Sequence, residues 1–196
     1  MCLVDYEVPY ETIAEIKRRN PQAVISADLG GLGGAHSTEE AREKFIRRRN
    51  GARQKEYLSA IDIGKASVED AEAAFGRAFC SAREAAEAYI DQGVGAVVVT
   101  MGKDGAYIQT GGGIECRVPA VTPFKGVADT TGAGDTYIAS FVAEYAKTGD
   151  LVHSALYAGA ASSLLIEQTG GINCTRVPSG EEIDKRLQIY SNKGEK

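Results

Sequence analysis

The sequence predicts an α/β fold with a mostly parallel central sheet layered against helices. Three observations carry this expectation. Strand-like and helix-like segments alternate along the 196 residues. Ala96-Val97-Val98-Val99-Thr100 is an unbroken apolar run, the pattern of a parallel strand covered on both faces. The stretch 150–167 is apolar around its whole helical circumference, so it too belongs inside.

The elements follow in chain order. Ile13 and Ile16 mark a helix over Glu11–Arg19, ending before Pro21. Ala23–Leu29 reads as a buried strand, followed by glycines at 30, 31, 33 and 34. Ser37-Thr38-Glu39-Glu40 resembles a helix start, with a charged helix running toward Asn50. Another short strand is expected around Ser59–Gly64. Ser67-Val68-Glu69-Asp70 has capping-box spacing and opens a short helix to Gly76. Ser81–Gln92 is an Ala-rich amphipathic helix closed by Gly93. After strand 96–100, Ala106–Gln109 and Ile114–Val118 form a hairpin joined by Gly111–Gly113. A helix then runs to Lys147, and Gly149-Asp150 leads into the apolar helix, which Gly170-Gly171 breaks. The last helix spans Gly180–Ile189, and the Lys/Glu-rich end reads as a frayed tail. One domain over residues 1–196 is expected.

Composition narrows the function classes. Hydrophobic residues make up 43%, ordinary for a globular protein. A net charge of -5 argues against nucleic acid as partner. No apolar run approaches the ~20 residues that span a bilayer, so no membrane role is expected. Met1–Tyr10 lacks the pattern of a secretion signal. Cys2, Cys80, Cys116 and Cys174 have no zinc or redox spacing, which fits reduced thiols in the cytoplasm.

Three glycine-rich places compete as a nucleotide site. Gly31-Leu32-Gly33-Gly34-Ala35-His36 follows a strand, but His36 stands where a dinucleotide fingerprint needs its third glycine. Thr100-Met101-Gly102-Lys103-Asp104-Gly105 lies at the carboxyl end of the clearest strand, where open α/β sheets bind ligands. A tight strand-to-hairpin turn accounts for it equally well. The third, Asp129-Thr130-Thr131-Gly132-Ala133-Gly134-Asp135, is a turn of small residues bracketed by carboxylates and opening an apolar helix. Its bare N–H groups suit a phosphate. A carboxylate in the first helical turn stays ionised, because the dipole and free amides favour its charge. An anion cradle beside a base suits phosphoryl transfer to a hydroxyl.

That seven-residue turn resembles the C-terminal signature of the ribokinase-like (PfkB) family of carbohydrate and nucleoside kinases, matching it at every position. Asp62–Asp70 is similar to the segment bearing Asn-x-x-Glu in that family, with Ser67 and Asp70 here. Val97–Tyr107 is similar to its nucleotide-holding strand and turn, and Ala158–Gly171 to the helix and loop lining its adenine pocket. The resemblance implies a three-layer αβα fold and an ATP-dependent kinase acting on a sugar or nucleoside. It implies Asp135 as general base and the amides of Gly132, Ala133 and Gly134 as anion hole. Thr100, Gly102, Gly105, Thr130 and Gly159 would line ATP. Asp70 would help orient Mg²⁺, although Ser67 and Asp70 also make sense as a plain helix cap. Asp129, the Thr131 carbonyl and the Gly170 loop would form a monovalent-cation site of the kind that takes K⁺. Lys103 and Lys125 could touch phosphates or be ordinary surface lysines.

Family members carry further strands, a sugar motif and a lid ahead of these segments, and nothing in Met1–Asn20 resembles them. The chain is therefore expected to be the C-terminal catalytic portion, with N-terminal strands and lid absent. Self-association, or a partner chain supplying the missing layer, is expected to cover the open sheet edge. Two rivals stand beside the kinase reading. One is a nucleotide-binding remnant without catalysis; the other is a dinucleotide-dependent oxidoreductase using the 31–36 loop. His36, His153 and the run Arg47-Arg48-Arg49 are read as structural or solvated.

Overall fold

The computed structural model describes residues 2–4, 8–30, 54–170 and 176–194. The chain divides into two compact units, residues 1–101 with 107–116, and residues 102–106 with 117–196.

The first unit holds most of a six-stranded sheet in which spatial order equals chain order. Its strands are β1 (Cys2–Val4), β2 (Ser26–Asp28), β3 (Ile63–Ser67), β4 (Ala96–Thr100), β5 (Ala106–Thr110) and β6 (Glu115–Val118). The pairs β1–β2, β2–β3 and β3–β4 are parallel, with Asp28 opposite Lys65 and Ser67 opposite Thr100. The connections at 101–105 and 111–114 are far too short for a parallel crossover, so the last two strands turn back. Among the described residues, four helices belong to this unit: α1 (Tyr10–Arg19), α2 (Gln54–Ser59), α3 (Val68–Phe75) and α4 (Ala82–Asp91). Its core joins Ile13 of α1, Ile25 and Ala27 beside and on β2, Tyr57 and Leu58 of α2, Ala85, Ala86 and Tyr89 of α4, and Val97 and Val99 of β4. Ala96, Val98 and the other residues of β4 up to Val99 are all buried, although successive side chains leave on opposite faces.

Local signals set several of these boundaries. Ser67 caps α3 as a full capping box: its hydroxyl accepts from the Asp70 N–H at 3.1 Å, and the Asp70 carboxylate accepts from the Ser67 N–H at 2.7 Å. Replacing Ser67 with Ala is expected to cost about 1 kcal/mol. A chain of this size should then melt about 2–4 °C lower in a calorimetric scan. Ser81 caps α4 with its hydroxyl alone, which accepts from the Glu84 N–H at 3.2 Å.

The strand expected at 59–64 lies a few residues later, at Ile63–Ser67, and Ser59 ends α2 instead. Gly64-Lys65 looks like a strand end in isolation, but pairing with β2 on one side and β4 on the other overrides that. Lys65 is buried there because its ammonium meets the Asp28 carboxylate at 3.0 Å. β1 was not expected, since three residues carry no readable period. The helix expected over 37–50 and the 31–36 loop lie outside the described residues.

Among the described residues, the second unit contains three α-helices: α5 (Ala133–Thr148), α6 (Leu151–Leu165) and α7 (Gly180–Gly194). α5 and α6 form a hairpin through Gly149, in the left-handed region, and Asp150, whose carboxylate accepts from the N–H groups of Val152 and His153. Buried Glu144 of α5 pairs with Lys147 at 2.9 Å and lies 3.3 Å from the His153 imidazole. α6 buries small residues on most of its surface, among them Ser154, Ala155, Ala158, Ala160 and Ala161. α7 begins at a second capping box, Ser179 with Glu182, and continues to Gly194, past the expected end at Ile189.

Candidate phosphate-binding turn and its supports

The turn that opens α5 is shaped by its small residues. Gly132 takes φ +79°, a backbone state that side-chain-bearing residues avoid. The Thr130 carbonyl accepts from the Ala133 N–H at 3.1 Å, and the Gly132 carbonyl accepts the first helical bond from Thr136 at 2.9 Å. Among the described residues, the N–H groups of Gly132, Gly134 and Asp135 have no acceptor. So the bare amides flank Ala133, whose own N–H closes the turn. Asp135 is exposed in the first turn of α5, beside these donors. Thr130 and Thr131 are exposed as well.

The turn is anchored from behind. The Ile166 carbonyl, just past α6, accepts from both the Ala128 and Asp129 N–H groups, at 2.8 and 3.2 Å. Ser162 of α6 donates its hydroxyl to the Ala133 carbonyl at 3.0 Å. Asp129 Oδ1 accepts from the Thr131 N–H at 2.9 Å. Hydrogen bonds from Thr131, helped by the nearby Arg176 guanidinium, hold the Asp129 carboxyl below the usual carboxylate range. Arg176, 2% exposed, donates from Nη2 to the Asp129 carbonyl at 2.7 Å and from Nη1 to the Gly170 carbonyl. Its Nη1 also lies 3.4 Å from Asp129 Oδ2. A guanidinium therefore stands among the oxygens expected to hold a monovalent cation.

The other candidates fall on either unit. In the second unit, Gly102 and Gly105 frame a short 3₁₀ turn, Gly102–Asp104, with the Gly105 N–H bonded to the Gly102 carbonyl at 3.2 Å. Gly105 has φ +88°, and a Cβ there would fall 2.0 Å from the Val118 carbonyl, so close backbone approach alone requires glycine. Gly159 lies in α6 against Val121, where a Cβ would make ordinary contact at 3.4 Å. In the first unit, Thr100 donates its hydroxyl to the Ala66 carbonyl at 3.3 Å. Asp70 serves the α3 cap, and its carboxylate oxygen lies 2.8 Å from where a Gly30 Cβ would stand. Among the described residues, no group of three or more His, Cys, Asp or Glu is placed to hold a metal ion. No described helix is long and apolar enough to cross a membrane.

Lys65 and Arg176 are among the charged residues that the sequence did not single out. A lysine inside an apolar strand run is a usable signal for the first; a lone arginine before Val-Pro gives none for the second.

The chain resembles known kinases over most of its length. It is 31% identical to the ribokinase of Staphylococcus aureus over 134 residues, covering 66% of this chain and 42% of that one. It is 35% identical to the nucleoside kinase of Methanocaldococcus jannaschii over 98 residues, covering 50% of this chain and 31% of that one. Among solved structures, Arabidopsis thaliana ribokinase complexed with ribose and ATP superposes with a TM-score of 0.72 at 21% identity. That match covers 95% of this chain and 55% of the ribokinase, and it shows the fold, a three-layer αβα arrangement. The chain spans about half the length of the solved structures it matches, and less of the relatives matched by sequence. The family model of the pfkB carbohydrate kinases matches residues 36–178, well over half of the chain, and with the signature turn built as described the chain belongs to the pfkB family of carbohydrate kinases.

Proposed function

We propose that this chain carries the catalytic turn of an ATP-dependent kinase that phosphorylates a hydroxyl of a sugar or nucleoside. One observation carries the reading: an exposed carboxylate, Asp135, stands in the same helical turn as three N–H groups without acceptors among the described residues. Those donors suit a phosphoryl group, because they point outward at a helix N-terminus and need no reorganisation as negative charge spreads. Asp135 takes the proton of the attacking hydroxyl as its oxygen begins to bond phosphorus. Phosphoryl transfer asks mainly for positioning and charge neutralisation, so a carboxylate is base enough.

Gly132 and Gly134, with Asp135's own amide, form the anion hole, and Ala133 shapes it by closing the turn. Gly102, Gly105, Thr130 and Gly159 line the nucleotide on the second unit, and Thr100 is the candidate on the first. Asp70, one of whose carboxylate oxygens is engaged by the Ser67 amide, is the residue offered to Mg²⁺-bound water. Mg²⁺ supplies neutralisation of the phosphate oxygens when bound. The test is ATP titration by calorimetry, then turnover with a panel of sugars and nucleosides. Saturable ATP binding and acceptor-stimulated ADP release support the reading. Binding with no acceptor effect would favour a nucleotide-binding remnant, and NAD binding without ATP binding would overturn the assignment.

A further inference from the structure

We propose that the Arg176 guanidinium is a built-in substitute for a monovalent cation, so that the phosphate-binding turn is organised without added K⁺. This deepens the functional reading above and rests on it for the identity of the turn. The oxygens in question are two main-chain carbonyls, of Asp129 and Gly170, and the Asp129 carboxylate. Carbonyls and a carboxylate gathered round one point are what an alkali cation takes as ligands, and the family resemblance leads to such a site at Asp129, the Thr131 carbonyl and the Gly170 loop. The site does not fit the ion. A side chain 2% exposed already delivers a permanent positive charge to all three oxygens.

The fork of the guanidinium matters as much as its charge. Nη2 reaches the Asp129 carbonyl at 2.7 Å, while Nη1 takes the Gly170 carbonyl and approaches Asp129 Oδ2 at 3.4 Å. One planar group thus ties the segment entering the signature turn to the segment leaving α6. A K⁺ ion beside it would meet a like charge, and would find the Asp129 and Gly170 carbonyls already engaged. Asp129 Oδ1 keeps the Thr131 N–H, so the carboxylate links the cation to the turn that begins two residues later. Arg176 is accordingly a positioning residue: it touches the frame of the anion cradle and no reacting atom.

The experiment compares the protein in KCl with the same protein in N-methylglucamine chloride at equal ionic strength, reading melting temperature and ATP affinity. The wild-type protein is expected to change less than twofold in affinity and to keep its melting temperature. Arg176→Ala is expected to bind ATP roughly tenfold more weakly. K⁺ or guanidinium ion should recover most of that loss and raise the variant's melting temperature. Arg176→Lys, which keeps the charge and loses the fork, should fall between the two and respond weakly to K⁺. A wild-type protein that gains tenfold in affinity or melts markedly higher with K⁺ overturns the proposal. So does an Arg176→Ala protein that is destabilised but deaf to every added cation, since that marks a merely structural arginine. Should Arg176→Ala not fold, the wild-type ion series and the lysine variant still decide. The melting readout keeps this test separate from the kinase reading: failure of ATP to bind would sink the latter, while ion-dependence of the melt alone judges Arg176.

Discussion

Replacing Asp135 with Asn is expected to lower acceptor-dependent phosphoryl transfer by about 10²–10⁴-fold, the usual share of a positioned general base. ATP affinity should stay within a few-fold of wild type. The substitution is isosteric, so Gly132 keeps its left-handed geometry and the Ala133–Thr130 bond that closes the turn is untouched. The N–H groups of Gly132 and Gly134 stay available to the phosphate. Removing a carboxylate next to a polyanion relieves repulsion, so binding, if it moves, should tighten. The kinetic signature is a fall in kcat and kcat/KM together with an unchanged KM for ATP, which marks a group acting in the transition state alone. Steady-state turnover, paired with calorimetric ATP titration of the same preparation, checks both halves. Turnover within threefold of wild type would remove Asp135 from the role of base. Loss of ATP binding would make it a structural residue of the turn.

What the sequence made legible, and what it hid, follows the range of the interactions involved. The cap at Ser67, the strand Ala96–Thr100 and the hairpin at Gly111–Gly113 were readable because each depends on neighbours a few residues away. The turn at Asp129–Asp135 was readable for the same reason, and the family match over residues 36–178 agrees with it. The position of β3 was not readable. A Gly-Lys-Ala run becomes strand only when β2 and β4 pair on either side, and Lys65 can be buried only because Asp28 lies 37 residues earlier. Arg176 is a stronger case, with its Asp129 partner 47 residues away and no local periodicity to announce it. The glycines at 102 and 105 show the opposite problem. Their spacing suits a ligand turn, yet the approach of Gly105 to the Val118 carbonyl demands glycine on packing grounds alone. Spacing identifies such positions without assigning the cause.

Breaking the buried pair of Glu167 with Arg186 is expected to cost about 3–5 kcal/mol, the largest stability effect anticipated for a single side chain here. Both side chains are almost wholly buried, at 5% and 6% exposure. Their contact is bidentate, Nη1 to Oε1 at 2.8 Å and Nη2 to Oε2 at 3.0 Å. Nη1 also donates to the Ser163 hydroxyl, and the guanidinium stacks 4.0 Å above the Phe124 ring. Oε1 accepts from the N–H groups of Phe124 and Lys125, so one carboxylate joins α7, the end of α6 and the 124–125 loop. Glu167→Ala leaves the Arg186 charge buried without its counter-ion, and Arg186→Met leaves the carboxylate in the same position. The double substitution should recover part of the loss, because an apolar pair avoids both desolvation costs. Burial alone would raise the Glu167 carboxyl, but Arg186 and the two main-chain N–H groups outweigh it and hold the group below the usual glutamate range. A folded value below the unfolded one means the stabilisation is complete above the unfolded value, about 4.3, and is lost as pH falls through the lower folded value. The wild-type protein should therefore lose stability more steeply than Glu167→Gln on acidification below about pH 4.3. Chemical denaturation of the single and double variants at neutral pH, repeated down the acid limb, measures both effects. Single variants within about 1 kcal/mol of wild type would show that solvent already reaches the pair, as it does in exposed ion pairs.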